Sequence, residues 1–478
     1  MLHLPLHRRP ANEVLAEMAS ARVNDTRWKE GRTFSLVYYA GEEVEQLLKE
    51  AYTLYFAENG LNPSAFPSLR RFETEVVSMA AGLLNGDEAV TGNMTAGGTE
   101  SILMAVKAAK EHAQKQRPGL KEPEMIVPVS AHPAFDKAAH YFGLKLHHAP
   151  LRDDFRVNVD AVAGLVNENT VLIVGSAPAY PHGVIDPLAA LSELAVARNI
   201  WLHVDACVGG FILPFIHRLG RSLPAWNFEL PGVTSISLDL HKYGYSAKGA
   251  SLILYRNASL RRNQFFVYTE WPGGIYGSPS VTGTRPGGAI AAAWAILNYL
   301  GEEGYLDITR RTLEVTDRFR RGIEAIPGLR IISNPELSLL AFTSDAQNIY
   351  EIGDEMTLKG WHMDRQQYPP SLHLTINLVH EQSVEVFLND LRESVEKVSK
   401  LTPAKLGRQF LQTLVKGATQ VLPDKWVSEL ASMASKMGGD DFMPKRTAAM
   451  YGMMGNLPNR GDVRTLVMDF MDKLVERK

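Results

Sequence analysis

The chain has 478 residues, 45% hydrophobic and 22% charged, with a formal net charge of −3. Single hydrophobic cores stop growing near roughly 250–300 residues, so more than one domain is expected. The near-neutral charge speaks against a general nucleic-acid binder. The single cysteine, Cys207, excludes an internal disulfide framework and a cysteine-rich zinc site, and it fits a reducing compartment.

The opening MLHLPLHRRPANEVLAEM breaks its apolar residues with proline and basic side chains, so it does not read as a signal peptide. RRFETEVVSMAAGLL (70–84) has apolar residues at helical intervals and is stopped by Asn85-Gly86. EMIVPVS, TVLIVGS, NIWLHVD, VTSISLD and ASLILYR are short β-rich runs, and several lack polar alternation. That pattern predicts strands covered on both faces of a mainly parallel sheet, and the helical stretches between most of them predict a three-layer α/β/α domain. PGGAIAAAWAILNYLG (286–301) is shorter than the ~20 residues a spanning helix needs and contains Asn298, so it reads as a buried helix.

Past Leu329, LRIISNPELSLLAFTS reads as strand, turn, strand. A helix near 348–359, the strand LHLTINL and the helix EQSVEVFLNDLRESVEKVSK complete a small C-terminal α+β domain. Beyond residue 400 the patterns are helical, with Met433, Met437, Met443, Met450, Met453 and Met454 filling a core or forming an adaptable interface. The expected division is an N-terminal segment (1–65), a large domain (66–320), the small domain (321–400) and a helical extension (401–478).

Candidate chemistry gathers at predicted strand ends, where open α/β sheets place their ligands. NIWLHVD ends at Asp205, which is either a cap or turn residue or the partner of a buried cation such as a protonated pyridine nitrogen. Gly97, Gly98 and Thr99 open a helix carrying Ile102, Leu103 and Val106. Its free N–H groups and dipole make a phosphate cradle, though glycine turns before helices are common. His132 is either structural or a ring that stacks on a planar cofactor, while His140 shows nothing beyond packing. VTSISLD delivers His241 and Lys242 to the same rim, where a lysine amine can form a Schiff base with an aldehyde cofactor. Lys248 is either a solvated turn lysine or a second functional amine. Phosphate cradle, acid, aromatic ring and lysine together specify pyridoxal 5'-phosphate better than any one alone, and no metal site is expected.

The segments NPSAFPSLRRFETEVV, TAGGTESILMAVKA, AFDKAAHYFGLKL, YPHGVIDP, HVDACVGGF, SISLDLHKYGYSAKGAS, QFFVYTEWPGGIYGSPSVTGTRPGG and GEEGY carry a further likeness. In this order they resemble the sphingosine-1-phosphate lyases, a family of fold-type-I pyridoxal-phosphate enzymes close to the group II decarboxylases. The likeness runs from about residue 31 to 380. HVDA and His-Lys are shared with decarboxylases, whereas GGIYGSP and DLHKYGYSAKG point more narrowly to the lyases.

The resemblance implies the fold-type-I architecture and a role for each matching residue. Lys242 would carry the Schiff base, Gly98 and Thr99 the cofactor phosphate with His241 nearby, His132 the ring face and Asp205 the ring nitrogen. Thr284, in GTRPGG, would reach a phosphate across a homodimer with shared active sites, and Arg285 would position that loop or touch ligand. Lys248 would bind the substrate phosphate or relay a proton. Tyr39, next to Tyr38 in SLVYYAGEE, would contact that phosphate or transfer a proton, and Tyr243 would pack. One position departs from the family: Asn62 stands where its histidine, implicated in holding the substrate phosphate, usually precedes a proline. Asparagine donates a hydrogen bond but has no cationic form, and charge-assisted bonds are roughly twice as strong.

The implied reaction is a retro-aldol cleavage of the C2–C3 bond of a phosphorylated sphingoid base, giving a long-chain aldehyde and phosphoethanolamine. A decarboxylase of free amino acids is the alternative on the same cofactor. A catalytically silent binding relative is a third reading, opposed by retention of Lys242, Asp205, Thr99 and His132. The resemblance further implies a cytoplasmic, bacterial-type member without the transmembrane segment of eukaryotic relatives; delivery to a host stays open.

Overall fold

The computed structural model describes residues 3–400 together with Ala448, Tyr451, Arg464, Val467, Met468, Met471 and Asp472. Apart from those last seven, the expected extension 401–478, with Met433, Met437, Met443, Met450, Met453 and Met454, lies outside the described residues.

A seven-stranded sheet is built from β1 (Thr91–Thr95), β2 (Glu124–Pro128), β3 (Lys145–Ala149), β4 (Thr170–Ser176), β5 (Trp201–Asp205), β6 (Val233–Leu238) and β7 (Ser251–Tyr255), in the order β1-β7-β6-β5-β4-β2-β3. Strands β3, β2, β4, β5 and β6 run parallel, and β7 is antiparallel to both β6 and β1. The missing polar alternation has a direct cause, since successive side chains point to opposite faces and both faces are covered. Met125, Leu172, Trp201 and Ile253 pack with the helix Gly98–Gln116 and with Phe135 and Ala138. Their neighbours Ile126, Ile173, Leu202 and Leu252 pack on the other side with the helices Pro67–Leu83, Leu188–Arg198 and the start of Gly287–Glu324. This is the three-layer α/β/α arrangement that the sequence predicts.

The run read as a buried helix opens the 38-residue element Gly287–Glu324, which is broken at Gly301, where φ is 54°. Ile290, Ala293 and Ile296 before the break belong to the core of the large sheet, while Val315, Phe319 and Ile323 after it enter a second core. Between β7 and this helix, β8 (Phe266–Trp271) and β9 (Gly274–Ser278) form a hairpin separate from both sheets. The second core lies under a small antiparallel sheet, β10 (Leu329–Ile331), β11 (Leu339–Ser344), β12 (Asp364–Gln367) and β13 (Pro370–Thr375), ordered β10-β11-β13-β12. Ile349–Leu358 and Val384–Ser399 cover it.

The N-terminal segment ties the two cores together. Phe34 stacks on His380 at 4.4 Å within the small core, and Tyr38 meets the edge of Tyr243 at 4.9 Å beside the large one. Among the described residues, no helix is long and apolar enough to cross a membrane.

Candidate active site

Parallel register sets three strand ends side by side: Ser176 of β4 pairs with Asp205 of β5, and Asp205 with Ser237 of β6. Beyond this row, β6 runs into Asp239, Leu240, His241 and Lys242, and β1 turns through Gly97 into the helix at Gly98. A cavity of about 300 Å³ opens at this rim, at the lower end of small-molecule sites. Gly98, Thr99, His132, Asp205, His241 and Lys242 all line it, with Tyr180, Cys207 and Asp239. Six expected cofactor contacts, from four places in the chain, therefore converge.

Lys242 Nζ lies 2.9 Å from Asp239 Oδ2, and His241 Nε2 is 3.7 Å from the same oxygen. Burial disfavours the lysine charge, but the Asp239 carboxylate outweighs it and raises Lys242 above its usual value. Burial likewise pushes the Asp239 carboxyl up, yet Lys242 and His241 overcome that push and hold it below the ordinary range. Asp239 Oδ1 is buried without a hydrogen-bond partner among the described residues. Sequence reasoning passed over Asp239; its signal was the i, i+3 spacing of carboxylate and amine in DLHK.

The first bond of the Gly98–Gln116 helix runs from the Ser101 N–H to the Gly97 carbonyl, so the N–H groups of Gly98, Thr99 and Glu100 precede the ladder at its positive end. Glu100 anchors this start by accepting the N–H groups of Ala96 at 2.6 Å and of Val281 at 2.8 Å. Gly98 is required by space: a Cβ there would stand 2.8 and 2.9 Å from the Asp239 carboxylate oxygens and 2.9 Å from Cys207 Sγ. Asp205 Oδ1 accepts the Cys207 N–H at 3.0 Å, which orients the carboxylate at the rim. His132 Nδ1 accepts the Ala134 N–H at 3.1 Å and so fixes its ring at the start of the Ala134–Phe142 helix. An anion cradle, a carboxylate, an aromatic ring and an amine around one small cavity fit a phosphorylated aromatic aldehyde, and the unpartnered Asp239 oxygen and the close-packed Gly98 agree with a bound group there.

Overpacking by one methyl commonly costs about 1–3 kcal/mol, so Gly98→Ala is expected to weaken binding of pyridoxal phosphate by about tenfold to a hundredfold. Absorbance titration of the full-length chain measures this, and an unchanged affinity would show that the helix start can shift at no cost.

The remaining predicted residues lie outside the cavity wall. Lys248 Nζ donates to the His241 carbonyl at 3.2 Å and sits 5.5 Å from the centre of the Tyr38 ring. Crowding by protein, then the Lys242 charge, lowers its ammonium to about 8, although its side chain still reaches solvent and water offsets part of that push. Tyr39 points away from Lys248: its hydroxyl donates to Glu42 at 3.4 Å and its ring meets the edge of Trp28. Asn62 is exposed, and its side-chain oxygen accepts the N–H groups of Ser64 and Ala65 at 3.0 and 3.1 Å, which leaves its NH₂ to offer. Thr284 is exposed on the loop before the long helix, and Arg285 beside it is buried in an ion pair with Glu73 at 2.6 Å. Tyr180, in a segment quoted only for its resemblance, is a wall residue that sequence reasoning did not single out; its hydroxyl donates to Asp364 at 2.6 Å.

Three comparisons bear on this site. The pyridoxal-dependent decarboxylase conserved domain matches residues 11–345. A sphingosine-1-phosphate lyase of Oryza sativa is 41% identical over 97% of this chain and 80% of its own length, and one of Arabidopsis thaliana is 42% identical over 96% and 79%. The solved structure of a Burkholderia pseudomallei sphingosine-1-phosphate lyase superposes with a TM-score of 0.80 at 43% identity, covering 87% of this chain and 96% of that one.

Proposed function

Because the chain belongs to the sphingosine-1-phosphate lyases within the pyridoxal-dependent decarboxylase family, we propose that it cleaves the C2–C3 bond of phosphorylated sphingoid bases to a long-chain aldehyde and phosphoethanolamine. The observation that carries this reading is the gathering of Lys242, Asp205, His132, Gly98 and Thr99 around one cavity.

Pyridoxal phosphate, when bound, supplies an aldehyde that captures the substrate amine and a ring that takes up the electron pair released on cleavage. The chain's own groups do the rest. Lys242 would anchor the cofactor through its amine until the substrate amine takes its place. Gly98 and Thr99 would hold the cofactor phosphate with His241 nearby, and His132 would stack on the ring. Asp205 would keep a proton on the ring nitrogen, without which the ring would be a poor electron sink. At the substrate, the C3 hydroxyl loses its proton as the aldehyde carbonyl forms, and C2 gains one after the bond breaks. Lys248 would serve the substrate phosphate or this proton traffic, and the family resemblance assigns Tyr39 and Asn62 to the same phosphate.

A phosphorylated sphingoid base incubated with the holoenzyme is expected to release a long-chain aldehyde and phosphoethanolamine. Carbon dioxide from an aromatic amino acid, with no aldehyde from the sphingoid base, would instead establish the decarboxylase reading.

The lowered Lys248 ammonium gives a pH prediction with a fixed sign. Below this lowered pKa the free enzyme carries the cation that attracts the substrate phosphate, and above it the amine is neutral. The free-enzyme profile of kcat/KM is therefore expected to fall as pH rises through a value below that of an ordinary lysine. Lys248→Arg should remove that inflection and Lys248→Met should lower the acid plateau to the alkaline level. An inflection that persists in Lys248→Arg would assign it to another group.

The same reading takes the chain to be a cytoplasmic homodimer. Its one cysteine, Cys207, is a buried free thiol. The β8–β9 hairpin leaves Phe266, Val267, Trp271 and Ile275 exposed, Ile275 by 81%, shortly before the Thr284 loop. A second copy on that face would bring Thr284 toward the neighbouring cavity. The division at 1–65, 66–320, 321–400 and 401–478 is kept as the proposed domain scheme.

A further inference from the structure

β5 and β6 pair with a shift after Leu202: Leu202 faces Val233 and His203 faces Ser235, so Thr234 is skipped. The shift places Ser235 and Ser237 against Trp201, His203 and Asp205, the alternate residues of β5 that share one face. Trp201 Nε1 donates to Ser235 Oγ at 2.8 Å, and Ser235 Oγ is 2.8 Å from His203 Nδ1. His203 Nε2 is 3.1 Å from Ser237 Oγ, which is 3.4 Å from Asp205 Oδ1. His203, Ser235 and Ser237 are fully buried.

The direction of these bonds follows from their two fixed donors. An indole N–H only donates, so Ser235 accepts from Trp201 and turns its own hydrogen to His203 Nδ1. Burial keeps His203 neutral, with its pKa lowered to about 4, so its one proton lies on Nε2 and points at Ser237. Burial also keeps Cys207 a thiol, and its S–H donates to Ser237 Oγ at 3.4 Å. Ser237 thus accepts twice, and its own hydrogen is left for Asp205. The opposite polarity would strand the Ser235 hydrogen and deprive Asp205 of a donor.

We propose that Trp201, Ser235, His203 and Ser237 form a one-way hydrogen-bond chain that holds the Asp205 carboxylate aimed at the cofactor's ring nitrogen, and so act as positioning residues. The inference rests on the reading of Asp205 given above. A hydroxyl donating to a carboxylate restricts its rotation. That aim matters only to a partner that carries a proton of its own.

The test is a preference, not a rate. The full-length chain, stripped of cofactor, is titrated with pyridoxal phosphate and with the analogue bearing carbon in place of the ring nitrogen. The wild-type chain should favour the nitrogen ring. Ser237→Ala should reduce that preference about tenfold, the scale of one hydrogen bond to a charged group, while affinity for the carbon analogue holds. Trp201→Phe, which keeps the bulk and removes the fixed donor, should reduce it in the same direction by less. An unchanged preference in Ser237→Ala, or an equal loss for both ligands, would overturn the chain. Asp205→Asn separates the premise: a preference surviving there removes both readings, whereas one lost there but intact in Ser237→Ala and Trp201→Phe removes the chain alone.

Discussion

Lys242→Ala is expected to abolish both the visible absorbance of the lysine-bound cofactor and turnover, the latter by on the order of 10,000-fold, since a covalent anchor has no substitute in the cavity. The variant also bears a structural cost. Asp239, whose side chain is 1% exposed, loses the ammonium at 2.9 Å, and breaking a buried pair from one side commonly costs about 3–5 kcal/mol. Lys242→Arg keeps the charge but cannot condense with an aldehyde, so it should fold like the wild type and remain colourless.

The pH dependence of stability in the cofactor-free chain should reverse between wild type and Lys242→Ala. In the wild type, Asp239 is held below its ordinary value. Its contribution is therefore present above the unfolded carboxyl pKa and lost as pH falls through the folded one. In Lys242→Ala burial prevails, the carboxyl rises, and the variant should lose stability as pH rises through that raised value. Thermal unfolding of the three proteins across the acid range tests this. An Arg variant that regains the visible band, or an Ala variant with wild-type stability at neutral pH, would remove Lys242 from the role.

The strand-end rule made much of the site legible because Asp205 and Lys242 close apolar runs that helices cover on both sides. Strands β4, β5, β6 and β7 announced themselves for the same reason. The edge strands did not. Among the described residues, β1 reads TGNMT and pairs only with β7, while β3 reads KLHHA, pairs only with β2 and exposes Lys145 and His148. β3 has one side open to water, and the outer edge of β1 bonds the side chains of Glu73, Arg261 and Arg285, so neither needs an apolar run. Asp239 was hidden for a different reason, because its contact with Lys242 exists only once the chain turns back after β6. Tyr38 and Tyr39 are adjacent in an extended segment and point opposite ways. Only packing on Tyr243 shows that Tyr38 is the one beneath Lys248.

Asp205→Asn should separate the electron sink from the anchor. The substitution keeps the size of a side chain that is 8% exposed and leaves an oxygen to accept the Cys207 N–H. Lys242 lies on another strand's exit, paired with Asp239, so the visible band should persist. What is lost is the full negative charge against the ring nitrogen, and removal of one such electrostatic group typically lowers kcat by about 10²–10³. KM should change little, because the carboxylate acts on charge that develops as the C2–C3 bond breaks and not on the bound ground state. Steady-state kinetics beside an absorbance spectrum reads both quantities from one preparation. A variant that binds cofactor and turns over at the wild-type rate would mean that the acid at the end of β5 orients the turn at Cys207 and takes no part in the electron flow.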